Sequence, residues 1–149
     1  MGSRLRANAK AELRFIGVVE RVDEYESELR IFPAFHSGLK GVGEFSHLII
    51  LYWMHLCDNE DDRGTLLVFP RRHGVKVEKG VFACRSPSRP NPIGLCVSEL
   101  VGTDGHVLRV KGLDALQGSP IVDIKPYIPR ADSFPSAHVP EWTKNGPPT

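Results

Sequence analysis

The sequence predicts an all-β fold, a small antiparallel β-barrel with short helical and turn insertions. Three observations carry this. The apolar residues fall in short runs rich in Val, Ile, Phe, Tyr and Trp, the composition of strands. The runs are separated by turn punctuation drawn from 14 glycines and 12 prolines. No segment keeps a helical apolar period long enough for an amphipathic helix. Closing such a sheet into a barrel removes the exposed edges that an open sheet would leave.

The elements follow in order. Residues 1–10 are polar and are expected to be a flexible N-terminus, 11–133 the barrel domain, and 134–149 a tail. Leu13 to Val19 reads as the first strand, and Leu29 to Ile31 as a second. Pro33 to Glu44, with Gly38, Gly41 and Gly43, reads as a turn or short helical piece. Phe45 to Leu56 is the strongest apolar run, and its β-branched and aromatic content favours a strand. Asp58 to Asp62 reads as a solvated acidic tip. Leu66–Phe69, Gly80–Cys84 and Ile93–Val101 are further strands. Asp104-Gly105 is a hairpin turn returning through His106–Val110. Ile121–Ile128 is the last strand, interrupted by Pro126, which cannot donate to a central ladder.

Composition bounds the function. The 149 residues suit one domain with a real core, and 41% apolar with 25% charged residues is ordinary for a globular chain. The net charge of +1 gives no global polycation, so any anion site is a local patch. No apolar run is long enough to span a membrane. Cys57, Cys84 and Cys96 form no Cys-x-x-Cys, so neither a disulfide framework nor a zinc knuckle is indicated, and a reducing cytoplasm suits them. His47, His55 and Cys57 share strand parity, yet no pair has a recurrent zinc spacing, and no metal is expected.

The segment Cys84-Arg85-Ser86-Pro87-Ser88-Arg89-Pro90-Asn91-Pro92-Ile93-Gly94-Leu95 is the most informative stretch. Each proline fixes its own φ and pushes its predecessor towards extended backbone, so the segment is stiff. It can hold two guanidinium groups and one amide at defined positions. A second stretch runs from Leu113 to Pro129. Gln117-Gly118-Ser119-Pro120 is a turn, after which Ile121, Asp123, Lys125 and Tyr127 are expected on one face and Val122, Ile124 and Pro126 on the other. That polar face either is an ordinary solvated strand face or lines a cleft. Arg71, Arg72, His73, Arg85, Arg89, Lys125 and Arg130 lie in or beside loops that, gathered at one barrel end, would make a phosphate-binding patch. Tyr52, Trp53 and Tyr127 supply aromatics for base stacking.

Together, Gly80 to Leu95, Phe45-Ser46-His47-Leu48 leading into Tyr52-Trp53-Met54-His55, and Gly118-Ser119-Pro120 followed by Asp123-Ile124-Lys125-Pro126-Tyr127 resemble the motifs of the TsaA/TrmO-like family. The resemblance covers Phe15 to Ser133. It implies a β-barrel that binds S-adenosylmethionine and methylates N6 of N6-threonylcarbamoyladenosine beside the tRNA anticodon. It also implies tRNA as partner, a homodimer, and here a short form lacking the C-terminal domain. Carried over by motif, cofactor contacts fall at His55, Leu56, Arg85, Leu95, Gln117, Gly118, Ser119 and Pro120. Under this reading Asp123 is the candidate base, Arg89 or Lys125 meets the threonyl carboxylate, Asn91 orients the base or threonyl group, and Tyr127 stacks. The chain departs from the pattern in three places. The Pro-Arg-Gln segment common after Ile-Gly-Val is absent, Cys84 replaces a common Thr, and Gln117-Gly118-Ser119 replaces Asp-Gly-Thr. The alternatives are a non-enzymatic nucleotide- or RNA-binding barrel, or a methyltransferase of the same fold with another substrate.

Overall fold

A computed structural model describes residues 4–70, 73–144 and 146. Six strands form one antiparallel sheet: β1 (Gly17–Val22), β2 (Ser27–Ile31), β3 (His47–Trp53), β6 (Ile93–Asp104), β7 (Val107–Lys111) and β8 (Pro120–Pro126). Their order is β1-β2-β7-β6-β3-β8, and β8 pairs back onto β1, so the sheet closes on itself. A separate short pair, β4 (Leu67–Val68) and β5 (Lys79–Gly80), leaves the sheet between β3 and β6. Among the described residues there are also two single-turn helices, α1 (Glu60–Arg63) and α2 (Pro129–Asp132), and several 3₁₀ turns.

Alternation builds the core. Val19, Leu29, Ile31, Leu48, Ile50, Leu108, Val110 and Ile121 are all essentially fully buried inside the closed sheet. The register pairs large residues of β3 with small ones of β6: Leu48 with Ser98, Ile50 with Cys96, and Tyr52 with Gly94. This large-against-small matching lets the interior fill without overpacking.

Three irregularities bend the sheet, between Val19 and Arg21, between Leu100 and Gly102, and where Leu51 and Tyr52 meet β8. Bulges increase local twist and bending, which closure demands. The third also overturns the expected face of β8. Ile121 pairs with Tyr52, but Asp123 pairs with Leu51 and Ile124 with Ile50, so Val122 is the extra residue. The period of two is therefore broken: Ile121 and Ile124 both reach the core, and Asp123 and Lys125 do not follow Ile121.

Other boundaries moved. The first strand begins at Gly17 rather than Leu13. Gly80–Cys84 is not a strand: after the two-residue β5 it becomes a 3₁₀ turn, Val81–Ala83. Pro33–Leu39 and Val42–Glu44 are 3₁₀ turns, as the glycine-rich stretch suggested. The C-terminal stretch carries α2 and a 3₁₀ turn at Glu141–Lys144, where Trp142 packs edge-on to His73 at 5.5 Å. Among the described residues, no helix is long and apolar enough to cross a membrane.

Candidate active site

β3 ends at Trp53 and β6 starts at Ile93, its direct partner. The chain after β3 and the chain before β6 therefore leave from the same end of the sheet, where Met54 N–H donates to Pro92 O at 2.7 Å. The β7–β8 connection reaches this end too. Gly118 N–H donates to Val19 O at 2.8 Å, and Val19 N–H donates to Ser119 O at 2.9 Å. Gly118 has φ 90°, a left-handed conformation that a side chain would strain. These three connections and the β4–β5 excursion enclose a cleft of about 700 Å³, within the range of small-molecule sites.

The cleft is apolar along most of its wall, with Met54, Leu56, Val68, Phe69, Ile93 and Leu116. Its polar groups are His55, His73, Arg85, Arg89, Asp114 and Ser119. Tyr52 forms part of the inner wall and donates its hydroxyl to Asp114 Oδ1 at 2.7 Å. Gly94 makes room for that ring, because a Cβ there would lie 2.3 Å from Tyr52 Cζ. Burial pushes the Cys57 thiol pKa upward, with the Asp62 charge acting in the same direction, so Cys57 presents a neutral, polarizable group.

The residues carried over by motif separate into two sets. His55, Leu56, Arg85, Leu95 and Ser119 line the cleft. Gln117, Gly118 and Pro120 frame its back: the Gln117 side-chain oxygen accepts from Val22 N–H at 3.3 Å, and Pro120 opens β8. Arg89 lines the cleft, but its guanidinium is turned onto its own loop. Nη1 donates to Cys84 O at 3.1 Å and to Ser86 O at 3.0 Å, and Nη2 to Val81 O at 2.7 Å. Arg85 is exposed and makes no hydrogen bond or ion pair among the described residues, so it is the uncommitted cation of the pair.

Asp123, Lys125, Asn91 and Tyr127 are not brought to this cleft. Asp123 and Lys125 pair with each other at 2.9 Å. Asp123 borders a second hollow of about 360 Å³ lined by Ile16, Ile31, Phe35 and Leu39, with fully buried Ile121 between it and Ser119 along β8. Tyr127 packs edge-on to His47 at 6.3 Å. Asn91 is exposed. The basic patch is only partly assembled, with His73, Arg85 and Arg89 at the cleft, and Arg71 and Arg72 lie outside the described residues. The shared-face histidine reading fails because β3 stops at Trp53. His47 opens the strand, whereas His55 lies in the 3₁₀ turn beyond it. No cluster of three His, Cys, Asp or Glu suited to a metal occurs among the described residues.

Sequence reasoning missed Asp114, Cys57 and Phe69. Each is unremarkable locally and acquires a place only through the closure of the sheet. The acidic stretch is exposed over residues 58–61, as expected of a solvated tip, but it forms the turn α1 and turns Asp62 onto the loop before β6. Asn59 caps α1 by accepting from Asp62 N–H at 2.8 Å, and Asp62 accepts the Ser88 hydroxyl at 2.5 Å.

An S-adenosyl donor brings an adenosine, a carboxylate and a sulfonium. The chain offers matching chemistry: an apolar wall for the base, the free Arg85 guanidinium for an anion, and Tyr52, Met54 and Cys57 as polarizable surface near a cation. His55 Nδ1 is buried without a hydrogen-bond partner among the described residues, as expected of a wall whose polar partner is a ligand or water.

The family model of the tRNA-methyltransferase O N-terminal domain matches residues 19–133. A "Probable S-adenosyl-L-methionine-binding protein" of Methanothermobacter thermautotrophicus is 46% identical over 129 residues, 87% of this chain and 84% of that protein. The tRNA (adenine(37)-N6)-methyltransferase of Escherichia coli is 39% identical over 122 residues, 78% of this chain and 51% of the relative, so the chain spans about half its length. The crystal structure of TrmO from Pseudomonas aeruginosa superposes with a TM-score of 0.69 at 26% identity, covering 89% of this chain and 62% of that one. The chain belongs to the tRNA-methyltransferase O family, through that family's N-terminal domain.

Proposed function

We propose that the chain is an S-adenosylmethionine-dependent methyltransferase acting on N6 of N6-threonylcarbamoyladenosine beside the tRNA anticodon. The observation that carries this reading is one cleft that gathers His55, Leu56, Arg85, Leu95 and Ser119 from four separate segments. Relatives named for cofactor binding and for methylation of tRNA adenine 37 support it. A homodimer belongs to the same reading, and exposed Val97 on the outer face of β6 is apolar surface that such a contact would cover. A cytoplasmic location fits three free cysteines.

When bound, the cofactor supplies a methyl group already activated on a positively charged sulfur, so the protein's task is alignment. The apolar wall excludes water from the reacting centre. Arg85 holds a carboxylate at the mouth. Arg89 keeps the loop that carries Arg85 in shape. The N6 proton needs an acceptor inside the cleft, and Asp123 is outside it. Asp114 takes that role in our reading: Oδ1 accepts from the Tyr52 hydroxyl, while Oδ2 has no partner among the described residues.

The test is methyl transfer from labelled S-adenosylmethionine to tRNA bearing N6-threonylcarbamoyladenosine, with unmodified tRNA as control. Label on the modified tRNA alone supports the proposal. Equal label on both refutes the threonylcarbamoyl requirement. Cofactor binding with no label on either tRNA points to another substrate, and no cofactor binding leaves an RNA-binding barrel.

A further inference from the structure

The proline-rich loop before β6 is held from behind by a segment that the cleft does not use. Ser88 donates its hydroxyl to Asp62 Oδ1 at 2.5 Å, and Asn59 Nδ2 donates to Asp62 Oδ2 at 2.7 Å. One residue on, Arg63 Nε donates to Pro90 O at 2.9 Å. Arg63 is itself fixed, by Asp58 Oδ1 at 3.0 Å and by lying over the Trp53 ring at 5.4 Å. Trp53 Nε1 donates to the other Asp58 oxygen at 3.3 Å. The chain of contacts thus runs from the end of β3, through Asp58 and Arg63, to Pro90, while Asp62 holds Ser88 on the other side of Arg89.

We infer that Asp62 and Arg63 are positioning residues: they pin the 84–92 loop so that Arg85 stands at the cleft mouth in one place. Arg85 has no partner of its own among the described residues, so its Cα position is set only by the loop. Prolines 87, 90 and 92 make the loop stiff but do not anchor it. Two anchors that bracket Arg89, one through a side chain and one through a carbonyl, turn a stiff loop into an oriented one. The ordered loop lowers the conformational entropy lost when Arg85 captures an anion. Neither Asp62 nor Arg63 lines the cleft, so each acts on Arg85 through the loop.

This inference rests on the reading of the cleft as a cofactor site. The experiment uses the full chain, with Asp62→Ala, Ser88→Ala, their double variant and Arg85→Ala. S-adenosylhomocysteine affinity is measured by calorimetry, and amide hydrogen exchange of residues 84–92 is measured without ligand. We expect Asp62→Ala to weaken affinity about tenfold, the size of one lost hydrogen bond to a charged group. Ser88→Ala should do the same, and the double variant no more, because both remove the Ser88–Asp62 bond. On the Arg85→Ala background, Asp62→Ala should have no further effect on affinity, a readout that general destabilisation would not produce. Faster exchange across 84–92 is expected. Unchanged affinity in folded Asp62→Ala, or an equal loss on both backgrounds, overturns the inference. Failure of the wild type to bind overturns the cofactor reading instead, while the exchange arm still judges the pin: unchanged exchange refutes it, and faster exchange supports it. If Asp62→Ala does not fold, Ser88→Ala alone carries the same comparison.

Discussion

Removing the Arg89 guanidinium separates two roles that the sequence leaves open. In the structure this group donates three hydrogen bonds, to Val81 O, Cys84 O and Ser86 O, at 2.7–3.1 Å. Bonds from a charged donor contribute about 1.5–3 kcal/mol each when desolvated, and the half-buried position puts them at the lower end. Arg89→Met keeps the apolar stem and strips all three, leaving three carbonyls to water or to nothing. The expected loss is about 4–5 kcal/mol, a large share of the 5–15 kcal/mol typical of a domain. For a chain this size that lowers the melting midpoint by about 10 °C. Urea unfolding followed by Trp fluorescence measures it, since Trp53 sits at the start of the affected end. Arg89→Lys should recover little, because an ammonium cannot reproduce the fork that spans separate carbonyls. A substrate-binding Arg89 would behave in the opposite way, with stability kept and the KM for tRNA raised. Stability of Arg89→Met within 1 kcal/mol of wild type, a threshold set by ordinary surface substitutions, would refute the structural role.

Three further outcomes are expected. Gly94→Ala drives a methyl into the Tyr52 ring, and overpacking of this kind costs about 1–3 kcal/mol. It should also loosen the Tyr52–Asp114 bond, seen as weaker cofactor affinity by calorimetry, and retained affinity would contradict this wall of the cleft. Hydrogen bonds lower the pKa of Asp62, from Ser88 and then Asn59, and of Asp23, from the Glu26 and then Tyr25 amides, below the ordinary aspartate value of 3.8. A depressed folded pKa contributes stability that is present above pH 3.8 and lost as pH falls through the folded pKa. The acid limb of unfolding should therefore flatten in an Asp23→Asn, Asp62→Asn double variant, and an unchanged limb would argue against both networks. Asp123→Asn should leave methyl transfer at wild-type level while Asp114→Asn loses it; the reverse result would return the proton acceptor to β8.

The class of fold was legible because its signals are local. β-branched and aromatic runs favour strands over helices wherever they occur, and Asp104-Gly105 makes a hairpin from its own backbone preferences. The cleft residues were legible where a motif is stiff or tight: the proline-rich loop with Arg85, and the Gly118 turn with Ser119. The roles of neighbouring residues were not. Arg85 and Arg89 both read as ligand-binding in the sequence, and only the three carbonyls within reach of Arg89 assign it to holding the loop.

The sequence by itself determined most of the strands, the hairpin, the rigid loop and the family, but not that Gly80–Cys84 turns into a 3₁₀ helix. The tertiary structure alone decided which side chains share a cleft. One extra residue at Val122 is enough to explain why: a bulge depends on the register of two non-local strands, and it moves every later side chain of β8 to the opposite face. Asp123 and Lys125 left the predicted face by that shift. Asp114, from the β7–β8 connection, reached the Tyr52 hydroxyl because the closed sheet carries that connection over the end of β3.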